Sequence, residues 1–283
     1  MKITSKVGIV CCSNGLSQSY ENKIIKLMEV LKQIGLNPVL GDCIYEDDLI
    51  RSRTGIKRAK ALMNLYKDDE IEAIFDISGG DVANEILSYL DFDIIGKSKK
   101  QFFGYSDLTT IINGIYAETN KTSVLYQVRN LMYDDAENQI KYLTNTLINN
   151  TKDLFDFKYH LIQGEPTNGI VVGGNIRCLL KLAGTKYWPD MTDKILLLEA
   201  YSGMFPQLIT YFSQLKQLEV FDQIKGILLG TFTELEGAGY GEALIELVKE
   251  VVGGNLTVAK TYEIGHGTNS KGIVIGSEIH LSK

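Results

Sequence analysis

The chain predicts an α/β fold built on parallel sheet, and three observations carry that prediction. Short apolar runs alternate with amphipathic segments of helical period through the first half. Some of the runs are continuously aliphatic, as strands covered on both faces must be. Glycine-containing turns fall where a run gives way to the next helix.

Residues 7–11 read as the first strand, and residues 21–34 as an amphipathic helix that stops at Gly35. A second strand follows at 38–40. The stretch 55–66, rich in Ala, Leu and Lys, reads as a helix with Lys67-Asp-Asp-Glu70 as its solvated exit. Residues 71–77 form a continuous apolar strand that runs into Ser78-Gly-Gly-Asp81, and a helix is expected over 82–90. Phe102 and Phe103 close the next strand. Leu108, Ile111, Ile112 and Ile115 then recur at helical spacing.

Periodicity weakens over 133–164, where Asn, Asp, Lys and Thr dominate, and this stretch reads as a connection between domains. A second unit begins at Gly169-Ile-Val-Val-Gly-Gly-Asn175, with a helix over 176–182 and then the loop holding Trp188, whose expected role is in the core. Residues 194–200 are a buried-strand pattern, Leu208, Phe212, Leu215 and Leu218 mark one helix face, and 225–232 restores a strand. The expected units are 1–150 and 165–283.

At 283 residues, 45% of them hydrophobic, the chain can bury one large or two moderate cores. Its 29 basic and 35 acidic side chains give a formal charge of -6 without a basic block, so neither nucleic acid nor an anionic membrane is the expected partner. No apolar run reaches the roughly 18 residues of a membrane span, and the first residues read as a strand, not a signal peptide; a cytoplasmic location is expected. Cys11, Cys12, Cys43 and Cys178 lack metal-ligand spacing, so no metal or other cofactor is expected, and the adjacent pair reads as small apolar packing. The histidines are His160, His266 and His280, a short roster for a general base.

Gln101-Phe-Phe-Gly-Tyr-Ser-Asp-Leu-Thr-Thr110 sets Ser106 where a strand turns sharply into a helix. Such a turn lifts its central side chain clear of the sheet and aims the amides of the helix start at what that side chain attacks. Ser106 is the nucleophile candidate and the Asp107 N–H a donor for a developing oxyanion. The alternative is a plain helix N-cap, the commoner use of serine before an apolar run. Gly79-Gly80 ends the preceding strand, and ligands of open α/β sheets bind at that edge; an ordinary turn is its plain reading. Glu199 closes the aliphatic run of residues 195–198, where a buried carboxylate requires a partner. His266 lies between Gly265 and Gly267 on bare backbone, which suits proton transfer, although an exposed loop histidine is commoner.

In order, Ser-Gly-Gly-Asp-x-x-x-Glu-Ile-Leu, Phe-Gly-Tyr-Ser-Asp-Leu-Thr, Gly-Gly-Asn-x-x-x-Leu-x-x-Leu-x-Gly-Thr-x-Tyr-Trp-Pro, Leu-Leu-Leu-Glu and Ile-Gly-His-Gly resemble the LD-carboxypeptidase family of serine peptidases, which includes the microcin C self-immunity peptidases. The resemblance spans nearly the whole chain. It implies Ser106 as nucleophile, His266 as base and Glu199 as the residue that orients it, with the Gly80 and Asp107 amides as oxyanion hole. It also implies a homodimer, and a small peptide or peptidyl-nucleotide as the partner molecule.

The architecture then expected is a flavodoxin-like or Rossmann-like parallel-sheet domain with a smaller mixed α/β domain after it. The activity expected is hydrolysis of the amide between an L-centre and a terminal D-amino acid, as in a murein tetrapeptide. Cleavage of aminoacyl nucleotides is the second reading, and a binding module without catalysis the third. Two departures fall near the expected substrate: Leu125-Tyr-Gln-Val-Arg129 stands where a His-Gly-Pro or Tyr-Gly-Pro turn is usual, and Ala200 where an acid often follows the glutamate. The connecting region offers no tryptophan as a platform for a nucleobase, leaving Tyr126, Tyr133 or Tyr159.

Overall fold

The computed structural model describes residues 1–2 and 4–282. Strands β1 (Lys6–Val10), β2 (Asn37–Leu40), β3 (Ile71–Asp76), β4 (Gln101–Gly104) and β5 (Ser123–Leu125) are all parallel, in the order β2-β1-β3-β4-β5. That order is the flavodoxin-like one, with its switch point between β1 and β3. Alternation along the strands divides the sheet between two cores: Val7, Ile9, Phe75 and Phe103 face one side, Val10, Ile74 and Phe102 the other. Helices α1 (Glu21–Gln33) and α5 (Ala136–Leu147) cover the first face through Leu27, Leu31 and Leu143. Helices α2 (Gly55–Lys67), α3 (Phe92–Lys97) and α4 (Thr109–Thr119) cover the second through Leu62, Ile95 and Ile112.

The second sheet has the order β12-β7-β8-β9-β10-β6. Here β7 (Thr167–Asn175), β8 (Lys194–Ala200), β9 (Gly226–Phe232) and β10 (Thr257–Lys260) are parallel, while β6 (His160–Gln163) and β12 (Glu278–Leu281) are antiparallel edges. Its helices are α6 (Ile176–Leu180), α7 (Phe205–Gln217), α8 (Val220–Gln223), α9 (Thr233–Gly237) and α10 (Gly241–Val252). Strand β11 (Ile273–Ile275) leaves this half and returns to the first sheet, antiparallel to β5.

Three sequence expectations change. The helix of 82–90 is a 3-10 turn, Ala83–Tyr89, followed by α3. The supposed connection of 133–164 contains α5 and β6, because α5 buries a narrow stripe under many polar residues and β6 is a half-exposed edge. The 176–182 helix closes at Leu180. Trp188 is half-buried and packs against both the α4 side of the first sheet and the core of the second.

The two sheets meet where α4 crosses β7. The Asn113 Nδ2 donates to Gly173 O at 2.9 Å, and Gly173 N–H donates back to Asn113 Oδ1 at 2.8 Å. Asn175 N–H donates to Thr109 Oγ1 at 3.0 Å. The helix and strand come this close because Gly174, at φ +138°, has no side chain: a Cβ there would lie 2.7 Å from Thr109 Oγ1.

Asn113→Ala leaves a buried donor and a buried acceptor of Gly173 unpaired, so the free energy of unfolding is expected to drop by about 2–4 kcal/mol. Chemical denaturation measures it. A loss under about 0.5 kcal/mol would mean that water satisfies the seam instead.

Candidate active site

Ser106 occupies the strand-to-helix turn after β4 with φ +55°, in the left-handed region that a residue with a side chain enters only at a cost of about 1–3 kcal/mol. The turn is tight because Gly104 lacks a side chain; a Cβ there would fall 2.7 Å from Leu108 Cβ. No capping bond runs from the Ser106 hydroxyl to the 3-10 turn Ser106–Leu108 or to α4, which sets aside the N-cap alternative. Instead the hydroxyl faces His266 Nε2 at 3.1 Å.

On the far side of the ring, His266 Nδ1 lies 2.6 Å from Glu199 Oε2. Glu199 is fully buried at the end of β8, while the His266 side chain retains 11% exposure toward the cleft. Gly265, at φ +155°, lets the histidine loop press onto β9, since a Cβ would lie 1.7 Å from Thr231 Oγ1. Residues separated by 160 and 67 positions thus form one chain of hydrogen bonds. An imidazole so held can take a proton from the hydroxyl while its other nitrogen stays with the carboxylate.

Tyr105 is buried beneath this chain. Its hydroxyl donates to Glu199 Oε2 at 3.2 Å and lies 3.3 Å from His266 Nδ1. Burial, with the neighbouring Glu199 carboxylate, pushes its phenol well above the ordinary tyrosine range, so it stays a donor. Tyr201, 61% exposed, sets its ring 5.2 Å from that of His266 at the cleft edge.

The Gly79-Gly80 turn faces Ser106; a Cβ on Gly79 would lie 3.9 Å from that of Ser106. Gly80, at φ +119°, abuts Asn14, which would lie 2.2 Å from a Cβ. Asn14 in turn laces the loop after β1 to this turn, donating from its amide to Gly79 O at 3.1 Å and accepting from Asp81 N–H at 2.9 Å. Among the described residues the N–H groups of Gly80 and Asp107 make no hydrogen bond.

The Asp107 carboxylate itself points away from the cleft. It accepts from Ser13 Oγ at 2.6 Å and Ala83 N–H at 2.8 Å and pairs with Lys181. Lys181 also donates to Asp81 O at 2.9 Å, while Arg177 pairs with Asp81 and donates to Gly80 O at 3.1 Å. Two cations beside α6 therefore grip both the glycine turn and the residue after the serine.

A cleft of about 410 Å³ opens over Ser106 and His266, lined further by Asn14, Gly79, Gly80, Gln127, Arg129 and Tyr201. Of the tyrosines offered as a nucleobase platform none lines it. Tyr126 is buried with its hydroxyl on Gln139 Oε1, and the Tyr159 hydroxyl donates to His280 O. Tyr201 is the aromatic at that edge, and its position directly after Glu199-Ala200 was the one available signal. Among the described residues no three His, Cys, Asp or Glu side chains are grouped as metal ligands.

Comparison with known proteins agrees with this frame. The LD-carboxypeptidase N-terminal domain matches residues 7–126, and the LD-carboxypeptidase C-terminal domain residues 168–281. A Treponema pallidum protein named "Putative carboxypeptidase" is 27% identical over 262 residues, covering 84% of this chain and 77% of its own. The microcin C7 self-immunity protein MccF of Escherichia coli is 25% identical over 301 residues, covering 94% and 87%. The Bacillus subtilis "Probable murein peptide carboxypeptidase" is 26% identical over 263 residues, covering 89% and 82%. A solved structure of MccF in complex with aspartyl sulfamoyl adenosine superposes at a TM-score of 0.88 with 22% identity, covering 100% of this chain and 94% of that one.

Tyr105→Phe is expected to cost about 1 kcal/mol at neutral pH through the lost bond to Glu199. A phenol held protonated in the fold but free to ionise when unfolded contributes stability that is present below the unfolded value and declines as pH rises past about 10. The deficit of the variant should therefore shrink between pH 9 and 11 in urea titrations. A deficit constant across that range would assign the alkaline sensitivity to other buried groups.

Proposed function

The chain belongs to the LD-carboxypeptidase family, and from that premise we propose that it is a serine carboxypeptidase whose nucleophile is Ser106, whose base is His266 and whose orienting carboxylate is Glu199. The observation that carries this reading is the continuous line from Ser106 Oγ through the imidazole to Glu199, at 3.1 and 2.6 Å. In the reaction proposed, His266 Nε2 takes the hydroxyl proton as Ser106 Oγ adds to the substrate carbonyl. The oxyanion is received by the N–H groups of Gly80 and Asp107, donors left free for it by the turn geometry. His266 then returns the proton to the departing amine and an acyl-serine remains. Water, deprotonated by His266, releases the acid and restores the hydroxyl. Residues 1–150 would supply the nucleophile and oxyanion donors, and residues 165–283 the base and its partner.

The substrate we propose is a murein tetrapeptide losing its terminal D-alanine, in the cytoplasm, by a homodimer. Support comes from the family and from the relative named for a murein peptide. A second reading is hydrolysis of an aminoacyl nucleotide. It is favoured by the likeness over the whole chain to MccF, solved with aspartyl sulfamoyl adenosine, and by Tyr201, whose exposed ring at the cleft could stack a base. Incubation with the tetrapeptide and with an aminoacyl sulfamoyl adenosine in parallel, followed by mass spectrometry, separates the two. Release of D-alanine is the expected result; loss of the aminoacyl group alone would establish the second reading.

Ser106→Ala is expected to lower kcat on the order of 10³-fold or more while the protein still folds, and His266→Ala combined with it should be no worse, because members of one catalytic unit are not additive. Near-parent turnover by His266→Ala would remove it from the mechanism. Activity is also expected to persist after exhaustive dialysis against a chelator, and recovery that depends on an added divalent ion would contradict a serine mechanism acting alone.

A further inference from the structure

Arg129 lines the cleft beside Ser106 and His266, yet the reaction above leaves it without work. It sits in the 3-10 turn Val128–Met132 after β5, within the stretch where the sequence departs from the expected His-Gly-Pro. Arg51, Arg58 and Arg177 each hold a carboxylate, whereas Arg129 holds none among the described residues. Its Nη2 makes a long bond to Gln127 Oε1 at 3.3 Å, and its Nε is buried without a partner.

Among the described residues no aspartate or glutamate lines the cleft, so this charge borders the reacting centre without an acidic partner there, in a protein whose formal charge is -6. A guanidinium with its Nε buried and unfilled and its Nη2 held only by a long bond matches a planar two-oxygen anion, which accepts two parallel N–H bonds and relieves the orphaned Nε. The next residue, Asn130, approaches Gly267 O with its Nδ2 at 3.5 Å, so the turn that holds the cation also adjoins the loop that holds His266. An anion gripped here lies at a fixed offset from the base.

We propose that Arg129 binds the free carboxylate of the departing D-amino acid and so makes the enzyme an exopeptidase. This rests on the carboxypeptidase reading and adds to it the residue that recognises the chain end. Substrates whose terminal carboxylate is capped would lose the pairing and leave the guanidinium desolvated, a discrimination built from both attraction and penalty. The role is one of positioning, expressed first in substrate binding.

The test uses full-length Ser106→Ala protein and calorimetric titration with the murein tetrapeptide and with the same peptide as its terminal amide. With Arg129 present, the acid is expected to bind at least about tenfold tighter than the amide. Arg129→Met should abolish that difference, and Arg129→Lys, which keeps the charge but not the fork, should keep part of it. In proteins with Ser106 intact, Arg129→Met should raise KM for the acid more than it lowers kcat and narrow the preference for acid over amide in kcat/KM. A preference for the acid that survives in a folded Arg129→Met or Arg129→Lys protein at full strength overturns the assignment while peptide cleavage still stands. If neither peptide binds and only the aminoacyl sulfamoyl adenosine is turned over, the carboxypeptidase reading falls and takes the anchor with it.

Discussion

A single side-chain amide, joined to both backbone groups of one glycine, anchors the seam between the two halves. Asn113 both donates to and accepts from Gly173, and the Asn175 N–H on Thr109 Oγ1 extends the same seam toward the serine turn. Helix α4 begins directly after the Ser106 turn, and β7 pairs with β8 in a register that sets Asn175 beside Glu199. Any slip of α4 along β7 would therefore move Ser106 relative to Glu199 by the same amount. Hydrogen bonds to a buried backbone resist such a slip better than apolar packing, because a shifted register leaves polar groups unpaired.

Charge reinforces the same boundary from another side. The buried Asp107 carboxylate gathers Ser13, Ala83 and Lys181, drawing the ends of β1, β3 and β4 together with α6. Removing water from a carboxylate is costly unless several donors replace it, and here a hydroxyl, an amide and an ammonium do so. The Asp107 side chain thus serves the framework, and the role expected near the serine falls to its amide alone.

The sequence made the backbone contexts legible. Ser106 was readable from a strand, a glycine and a helical period, Glu199 from a carboxylate ending an aliphatic run, and His266 from its flanking glycines, all of which are local signals. Arg177 and Lys181 fell at unconstrained positions of the Gly-Gly-Asn pattern, and Lys181 meets Asp107 across 74 positions. Tyr105 and Tyr201 stand beside strand ends, where an aromatic has no period that distinguishes packing from contact with a distant histidine, and only the nearness of Tyr201 to Glu199 marks it. Helix α5 carries no such local signal, because its polar surface outweighs the few residues it buries.

Strand β11 has a consequence for how the molecule is made. The edge of β5 is paired by residues 273–275, separated from it in sequence by five of the six strands of the second sheet. During synthesis from the amino terminus, the first sheet emerges with that edge bare and must wait for almost the entire polypeptide before it is covered. An uncovered strand edge invites pairing with another nascent chain, so the window between the two events is when this protein is most exposed to misassembly. Completion of the earliest sheet thus acts as a late checkpoint on the whole chain.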